Sequence, residues 1–262
     1  MIIGKFYNGS GLGNMLHRYV ATRVLALDKG FDYGMVYIDD GAGKEQGFKG
    51  KFFTEQPKLV DYPIKYKEWN EKKVVENGVD IRSFDPEINF VEDNTIIDGE
   101  FQSEHYFSHR LNEVDEWLKV EPIDIPDDTC VISHRGGEFT LFPELYLPQG
   151  YWDFAISKMK EINPKMKFQV QTDDILTAQK TFPEFEVIHN IGYNWRAIRY
   201  AHYLIVGNSS FSILPSLLGN AKKILAPKYH ARHNIGVWSM PSNFYKRYTY
   251  IDRKDYEKSS LS

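Results

Sequence analysis

Short apolar runs and longer helical stretches alternate along this chain. The runs MIIGKFY, YGMVYID, NTIIDGEF, TCVISH, KFQVQT, FEVIHN, YLIVGN and KKILAP read as strands. Helices are expected over 13–29, 103–118, 150–162, 174–181, 194–202 and 211–219. This alternation predicts α/β layers with mainly parallel strands. The chain shows no repeat period and no low-complexity tract, and only the tail DRKDYEKSSLS is charged and serine-rich enough to fray.

The rhythm is uneven. Residues 128–228 read as regular β/α units, whereas 40–100 is rich in lysine, glycine and aromatics and has little periodicity. Two prolines and four acidic residues in VEPIDIPDDT, 120–129, suit an exposed linker between lobes. The expected organisation is an N-terminal lobe over 1–122, a second lobe over 128–240 and a segment 241–262 that packs back. Two Rossmann-like lobes would then face a cleft.

Composition narrows what such a molecule binds. With 262 residues, 42% of them hydrophobic, the chain can bury a substantial core. Its 32 basic and 36 acidic side chains leave a formal charge of −4, so no global positive field draws nucleic acid or an anionic membrane. An anion needs a local site. The single cysteine, Cys130, excludes an intramolecular disulfide and fits a reducing compartment. No stretch has the features of a signal peptide or the ~20 apolar residues of a membrane span, so the expectation is a soluble, cytoplasmic protein.

The stretch GSGLGN, 9–14, follows a strand and opens a helix. Glycines at 9, 11 and 13 permit positive φ and close approach of a ligand to the backbone. The first amides of the helix lack intrahelical partners and carry the positive end of its dipole, which makes a seat for phosphate. The dinucleotide fingerprint and the Walker lysine are both absent. The same turn also serves simply to reverse the chain, with Asn14 as the helix N-cap.

Other strands also end in polar or glycine residues. In order they give GLGNMLHRYVA, GEFQSEHYF, SHRGGEF, QTDD and NSSFSILPSLL. Together these resemble the motifs GGLGNQMFQYA, GYWQSEKYF, HVRRGDY, FSDD and NSSFSWWAAWL of the α-1,2-fucosyltransferase family, GDP-fucose-dependent enzymes of the GT-B group. The likeness runs from 11 to 227. Gly136 stands where the family has a second arginine and Glu138 where it has an aspartate, and Ile213, Leu214 and Pro215 follow the serines in place of tryptophans.

The resemblance assigns roles. Arg135, with Glu138, falls at the catalytic position, and a guanidinium there can grip two pyrophosphate oxygens and neutralise the leaving group. Gly11, Gly13, Asn14, His134, Asp173, Asp174, Asn208, Ser209, Ser210 and the amide of Phe211 fall at donor-binding positions. Ser209 and Asp174 also read as helix caps, Arg135 as a surface ion pair and His134 as a group that orients its turn. Gln102, Glu104 and His105 lie on the acceptor side, while Phe101, Tyr106 and Phe107 suit packing.

The implied reaction is an inverting transfer of fucose from GDP-fucose to a glycan hydroxyl. No metal is expected, because GT-B relatives meet the departing charge with arginine and helix amides and no zinc-type ligand cluster is present. No cofactor beyond the sugar nucleotide and no nucleic-acid partner is expected. A transferase using another nucleotide sugar, and a non-catalytic glycan-binding protein on the same scaffold, remain alternatives.

Overall fold

The computed structural model describes residues 1–39, 47–72, 75–76, 79–80, 83–142, 145–228 and 245–257. It is α/β, with two compact units: Met1–Val75 with Asp80–Val120, and Glu76–Val79 with Glu121–Ser262.

The first unit contains β1 (Ile2–Tyr7), α1 (Leu12–Lys29), β2 (Tyr33–Ile38), β3 (Lys67–Asn70), β4 (Val75–Glu76), β5 (Val79–Asp80), β6 (Thr95–Asp98) and α2 (Leu111–Trp117), with the short β4 and β5 straddling its boundary with the second unit. Its sheet has the order β2-β1-β6-β3, with every pair parallel. α1 starts at Gly11, whose backbone is extended, and stops at Gly30 in the left-handed region, whose amide returns to Ala26 and Leu27. Met15, Leu16, Tyr19 and Val20 of α1 are buried, as are Ile2 and Phe6 of β1.

The second unit contains β7 (Thr129–Ser133), α3 (Gln149–Ile162), β8 (Lys167–Gln171), α4 (Ile175–Thr181), β9 (Glu186–Ile188), α5 (Ile191–Tyr200), β10 (Tyr203–Val206), α6 (Ile213–Leu218), β11 (Lys223–Pro227), β12 (Thr249–Ile251) and α7 (Arg253–Glu257). Its parallel sheet runs β12-β11-β10-β7-β8-β9. Every residue of β7 is buried, because both faces of the sheet are covered. Cys130 and Ile132 pack with Tyr151, Trp152 and Met159 of α3, whereas Val131 packs with Ala197 and Ile198 of α5. Cys130 is a free buried thiol whose pKa burial pushes up.

Four sequence expectations need correction. The helix expected over 103–118 is two short 3-10 turns followed by α2; Ser103 caps the first turn, and Phe107 and Arg110 leave helical backbone. Gly9, Gly11 and Gly13 do not use positive φ, which among described glycines occurs at Gly30 and Gly137. The irregular 40–100 segment contains β3, whose KEWN carries no apolar alternation and is exposed except at the half-buried Trp69. The tail does not fray from its start, since α7 forms and Tyr256 is buried against the core of α3; residues 258–262 lie outside the described residues.

Candidate functional site

Strand succession in the second unit runs from β7 outward through β8 to β9, then restarts at β10 on the other side of β7. Open parallel sheets take ligands beyond the strand ends at such a reversal. Three loops leave adjacent strand ends there: 134–137 after β7, 172–174 after β8 and 207–212 after β10. Ser133 is in register with Val206 on one side and Gln171 on the other. The candidate residues from His134 to Phe211 lie on these loops, except Glu138, which follows the first of them in the 3-10 turn Gly137–Leu141.

Arg135 is partly buried and holds two carboxylates. Its Nη1 lies 2.6 Å from Asp173 Oδ2, and its Nη2 donates to Glu138 Oε1 at 3.0 Å. The guanidinium also sits 5.3 Å over the Phe139 ring. Asp173 Oδ1 accepts the Gly136 amide at 2.8 Å, so one carboxylate ties both backbone and side chain of the loop.

Asp174 caps α4 by accepting the Thr177 amide, and also accepts the Gly137 amide at 3.2 Å. These bonds, led by that from the Thr177 hydroxyl, hold its carboxyl below the usual range. The two glycines therefore make room for protein carboxylates. A Cβ on Gly136 would lie 2.8 Å from Asp174 Cβ, and Gly137 has φ +47 with Asp173 Oδ2 2.6 Å from where its Cβ would be.

His134 is enclosed. Its ring is flanked by Tyr146, Trp152 and Phe182, its Nδ1 lies 3.1 Å from Thr172 Oγ1, and its backbone amide donates to Gln171. Burial pushes its pKa down to about 4, against the opposing pull of Asp173 and Asp174. The imidazole is thus neutral at pH 7 and fastens β7 to β8.

In the loop after β10, Asn208 Nδ2 donates to the Leu145 carbonyl at 2.8 Å. Ser209 caps the 3-10 turn Ser210–Ser212. The Phe211 amide, expected to serve phosphate, donates to Ser209 Oγ at 3.3 Å. Ser209 and Ser210 stay partly exposed.

The remaining candidates belong to the first unit. Gly11, and not Asn14, is the N-cap of α1; no side chain caps this helix and no acidic residue lies in its first turn. Gly13 is buried in that turn, with its carbonyl 2.8 Å from His17 Nδ1. Asn14 Oδ1 accepts from Gln102 Nε2 at 3.0 Å, which brings those two residues together. Glu104 is buried, whereas His105 is exposed beside Ser103 Oγ and the Phe84 ring. Phe101, Tyr106 and Phe107 are buried.

The candidate residues do not include a second polar cluster, around Tyr7 at the end of β1 and Asp98 at the end of β6. The Tyr7 hydroxyl donates to Asp98 Oδ2, and burial, ahead of Asp98, pushes the phenol up to about 12. Arg18 Nη1 donates to Asp98 Oδ1 at 3.3 Å and Nη2 to Glu100 Oε1 at 3.0 Å. No periodicity signals this cluster, because Tyr7 and Arg18 lie 80 or more positions from Asp98 and Glu100. Among the described residues no group of three or more His, Cys, Asp or Glu could hold a metal ion, and no helix is long and apolar enough to cross a membrane.

No known protein family matches the chain by sequence. No curated protein matches it either. Among solved structures, the E. coli heptosyltransferase WaaC with ADP is similar at TM-score 0.50 and 11% identity, over 96% of this chain and 93% of that one. A glycosyl transferase family 9 protein from Veillonella parvula aligns at TM-score 0.48 and 13% identity, over 99% and 88%. The NodZ alpha-1,6-fucosyltransferase soaked with GDP-fucose aligns at TM-score 0.46 and 16% identity, over 85% and 93%. The likeness to the heptosyltransferase shows a shared fold, of the GT-B type with Rossmann-like units.

Proposed function

We propose that the chain is a metal-independent, inverting glycosyltransferase that moves fucose from GDP-fucose to a glycan hydroxyl, with the α-1,2 linkage that the motif resemblance implies. A fold alone does not carry an activity. The observation that carries this reading is the gathering of Arg135, Asp173, Asp174 and the loop 208–212 on three adjacent strand ends at the reversal of the second unit's sheet. In this reading that unit binds the donor and the first binds the acceptor.

Arg135 exchanges Asp173 for the diphosphate as nucleotide arrives, while Glu138 stays on its Nη2. Its planar fork suits both partners, so the exchange keeps its geometry. Ser209 and Ser210 offer hydroxyls, and Glu138 serves as the second catalytic residue by holding the guanidinium. In the first unit, the uncapped start of α1 at Gly11, Gly13 and Asn14 supports an anion contact. Gln102 and His105 are the acceptor-side groups of this reading, and Glu104 supports them from its buried position.

One observation favours another nucleotide sugar as the runner-up. The position of the family's second arginine is Gly136, where even a Cβ would crowd Asp174, so the donor site departs from the family there.

Calorimetric titration with GDP, UDP, ADP, CMP and dTDP tests the reading, and GDP is expected to bind preferentially. Arg135→Ala is expected to lose on the order of 100-fold in turnover, roughly 3 kcal/mol, while keeping its circular dichroism. Arg135→Lys should rescue poorly, because a lysine supplies charge without the fork. Preference for a uridine nucleotide would move the donor assignment, and near-normal activity in folded Arg135→Ala would make the arginine structural.

A further inference from the structure

The first unit has its own reversal of strand order. The chain moves from β1 outward to β2, restarts at β3 on the far edge and returns to β6 beside β1. Tyr7 and Asp98 are the last residues of β1 and β6, the two strands that flank this reversal. Their hydrogen bond spans the position where an open parallel sheet takes a ligand.

The charges around Asp98 come from two strands, a helix and the turn after β6. Lys5 Nζ of β1 lies 3.6 Å from Asp98 Oδ2 and 3.7 Å from Glu68 Oε2 of β3. Arg18 of α1 bonds Asp98 and Glu100, and lies 4.6 Å over the Tyr7 ring. Arg18 is buried, and its Nε has no partner among the described residues, whereas the Asp98 side chain keeps 21% exposure.

Exposed ion pairs contribute little to stability, so a half-wet cluster around a buried arginine has no evident return as a fastening alone. A carboxylate has about four acceptor positions. Tyr7 and Arg18 fill one each, and Lys5 is too far for a hydrogen bond. Asp98 therefore keeps acceptor capacity toward water, on a side chain held from two directions.

We propose that Asp98 is the catalytic base for the acceptor, with Tyr7 and Arg18 as positioning residues. The assignment rests on the transferase reading and adds the base to it. The acceptor O–H bond breaks and its proton passes to the Asp98 carboxylate. The freed oxygen forms the new bond to the anomeric carbon of the donor sugar. The bond from that carbon to the diphosphate breaks, and its electron pair leaves on GDP. Asp98, open to water, then releases the proton to solvent. Tyr7 keeps its own proton throughout and steers the carboxylate.

The test compares wild type, Asp98→Asn and Tyr7→Phe for release of GDP from GDP-fucose, with N-acetyllactosamine and with water as acceptors. GDP affinity is measured by calorimetry and folding by circular dichroism. Asp98→Asn is expected to lose about 100-fold or more in kcat, with GDP affinity and the KM for GDP-fucose unchanged. Tyr7→Phe is expected to lose about tenfold in kcat with the same unchanged binding, a split that a merely structural role would not produce. Folded Asp98→Asn with wild-type kcat would overturn the assignment. Should Asp98→Asn fail to fold, Tyr7→Phe decides, and an unchanged kcat there overturns it. Wild type that neither binds GDP nor releases it from GDP-fucose would bring down the transferase reading, and the base with it.

Discussion

His134 is 4% exposed, and burial lowers its pKa to about 4, against about 6.5 in an unfolded chain. The folded protein therefore binds the proton less readily than the unfolded one. Its contribution is fully present above about pH 6.5 and is lost as pH falls through the folded value near 4. A displacement of this size corresponds to about 3 kcal/mol. Chemical denaturation of wild type at pH 7 and near pH 4 should show that loss, and His134→Gln should remove most of the dependence. An equal pH dependence in the variant would mean that other groups carry it. The neighbouring Asp174 works with the opposite sign of charge and the same sign of linkage, since its depressed carboxyl also withdraws support as acid is added.

The turn that follows β6 shows how an element is held by residues far away in the chain. Phe101 takes φ +49, a left-handed conformation that costs a non-glycine residue on the order of 1–3 kcal/mol. Glu71 compensates by accepting the amides of Glu100 at 2.7 Å and Phe101 at 3.2 Å, together with the Tyr106 hydroxyl at 2.6 Å. Tyr106 in turn accepts the Asp85 amide. Glu71→Ala leaves these donors without their acceptor and is expected to cost on the order of 3 kcal/mol by urea denaturation, with Glu71→Gln milder. Burial raises the Glu71 carboxyl, so the folded state binds its proton more tightly than the unfolded one. Its contribution is fully present below about pH 4.3 and declines as pH rises through the folded value, opposite in slope to that of His134. None of this was legible in the sequence, because nothing near Glu71 announces partners 29 to 35 residues away. The strands were legible, since each of the eight apolar runs coincides with one. The stretch 103–118 misled because its apolar residues fit a helix while Ser103 caps a short turn and Phe107 ends it. On the candidate site, the pattern identified the loops that leave β7, β8 and β10 but not which groups their carboxylates and amides already serve.

At the scale of the whole chain, charge and topology together constrain how an anion is held. A formal charge of −4 gives no attractive field for GDP, so affinity has to come from local groups whose present partners are carboxylates of the protein itself. Each unit has its own parallel sheet, and in the second both faces of that sheet are packed, so a ligand of that unit stabilises its core directly. A ligand at about 100 times its Kd adds roughly 2.7 kcal/mol to the state that binds it. Hydrogen exchange reads where that free energy goes, because protection rises in the cooperative unit that must open to release the ligand. With GDP at saturation, slowed exchange is expected in the amides of β7, β8 and β10 and in the loop 134–137, with β1, β2 and β6 unchanged. A chelator should leave the effect intact, since Arg135 and not a cation meets the diphosphate in this reading. Protection confined to the first unit, or protection lost with chelator and restored by magnesium, would require the donor to be held elsewhere or through a metal. Arg135→Ala should abolish the slowed exchange while the unliganded pattern stays that of wild type, which separates loss of binding from loss of fold.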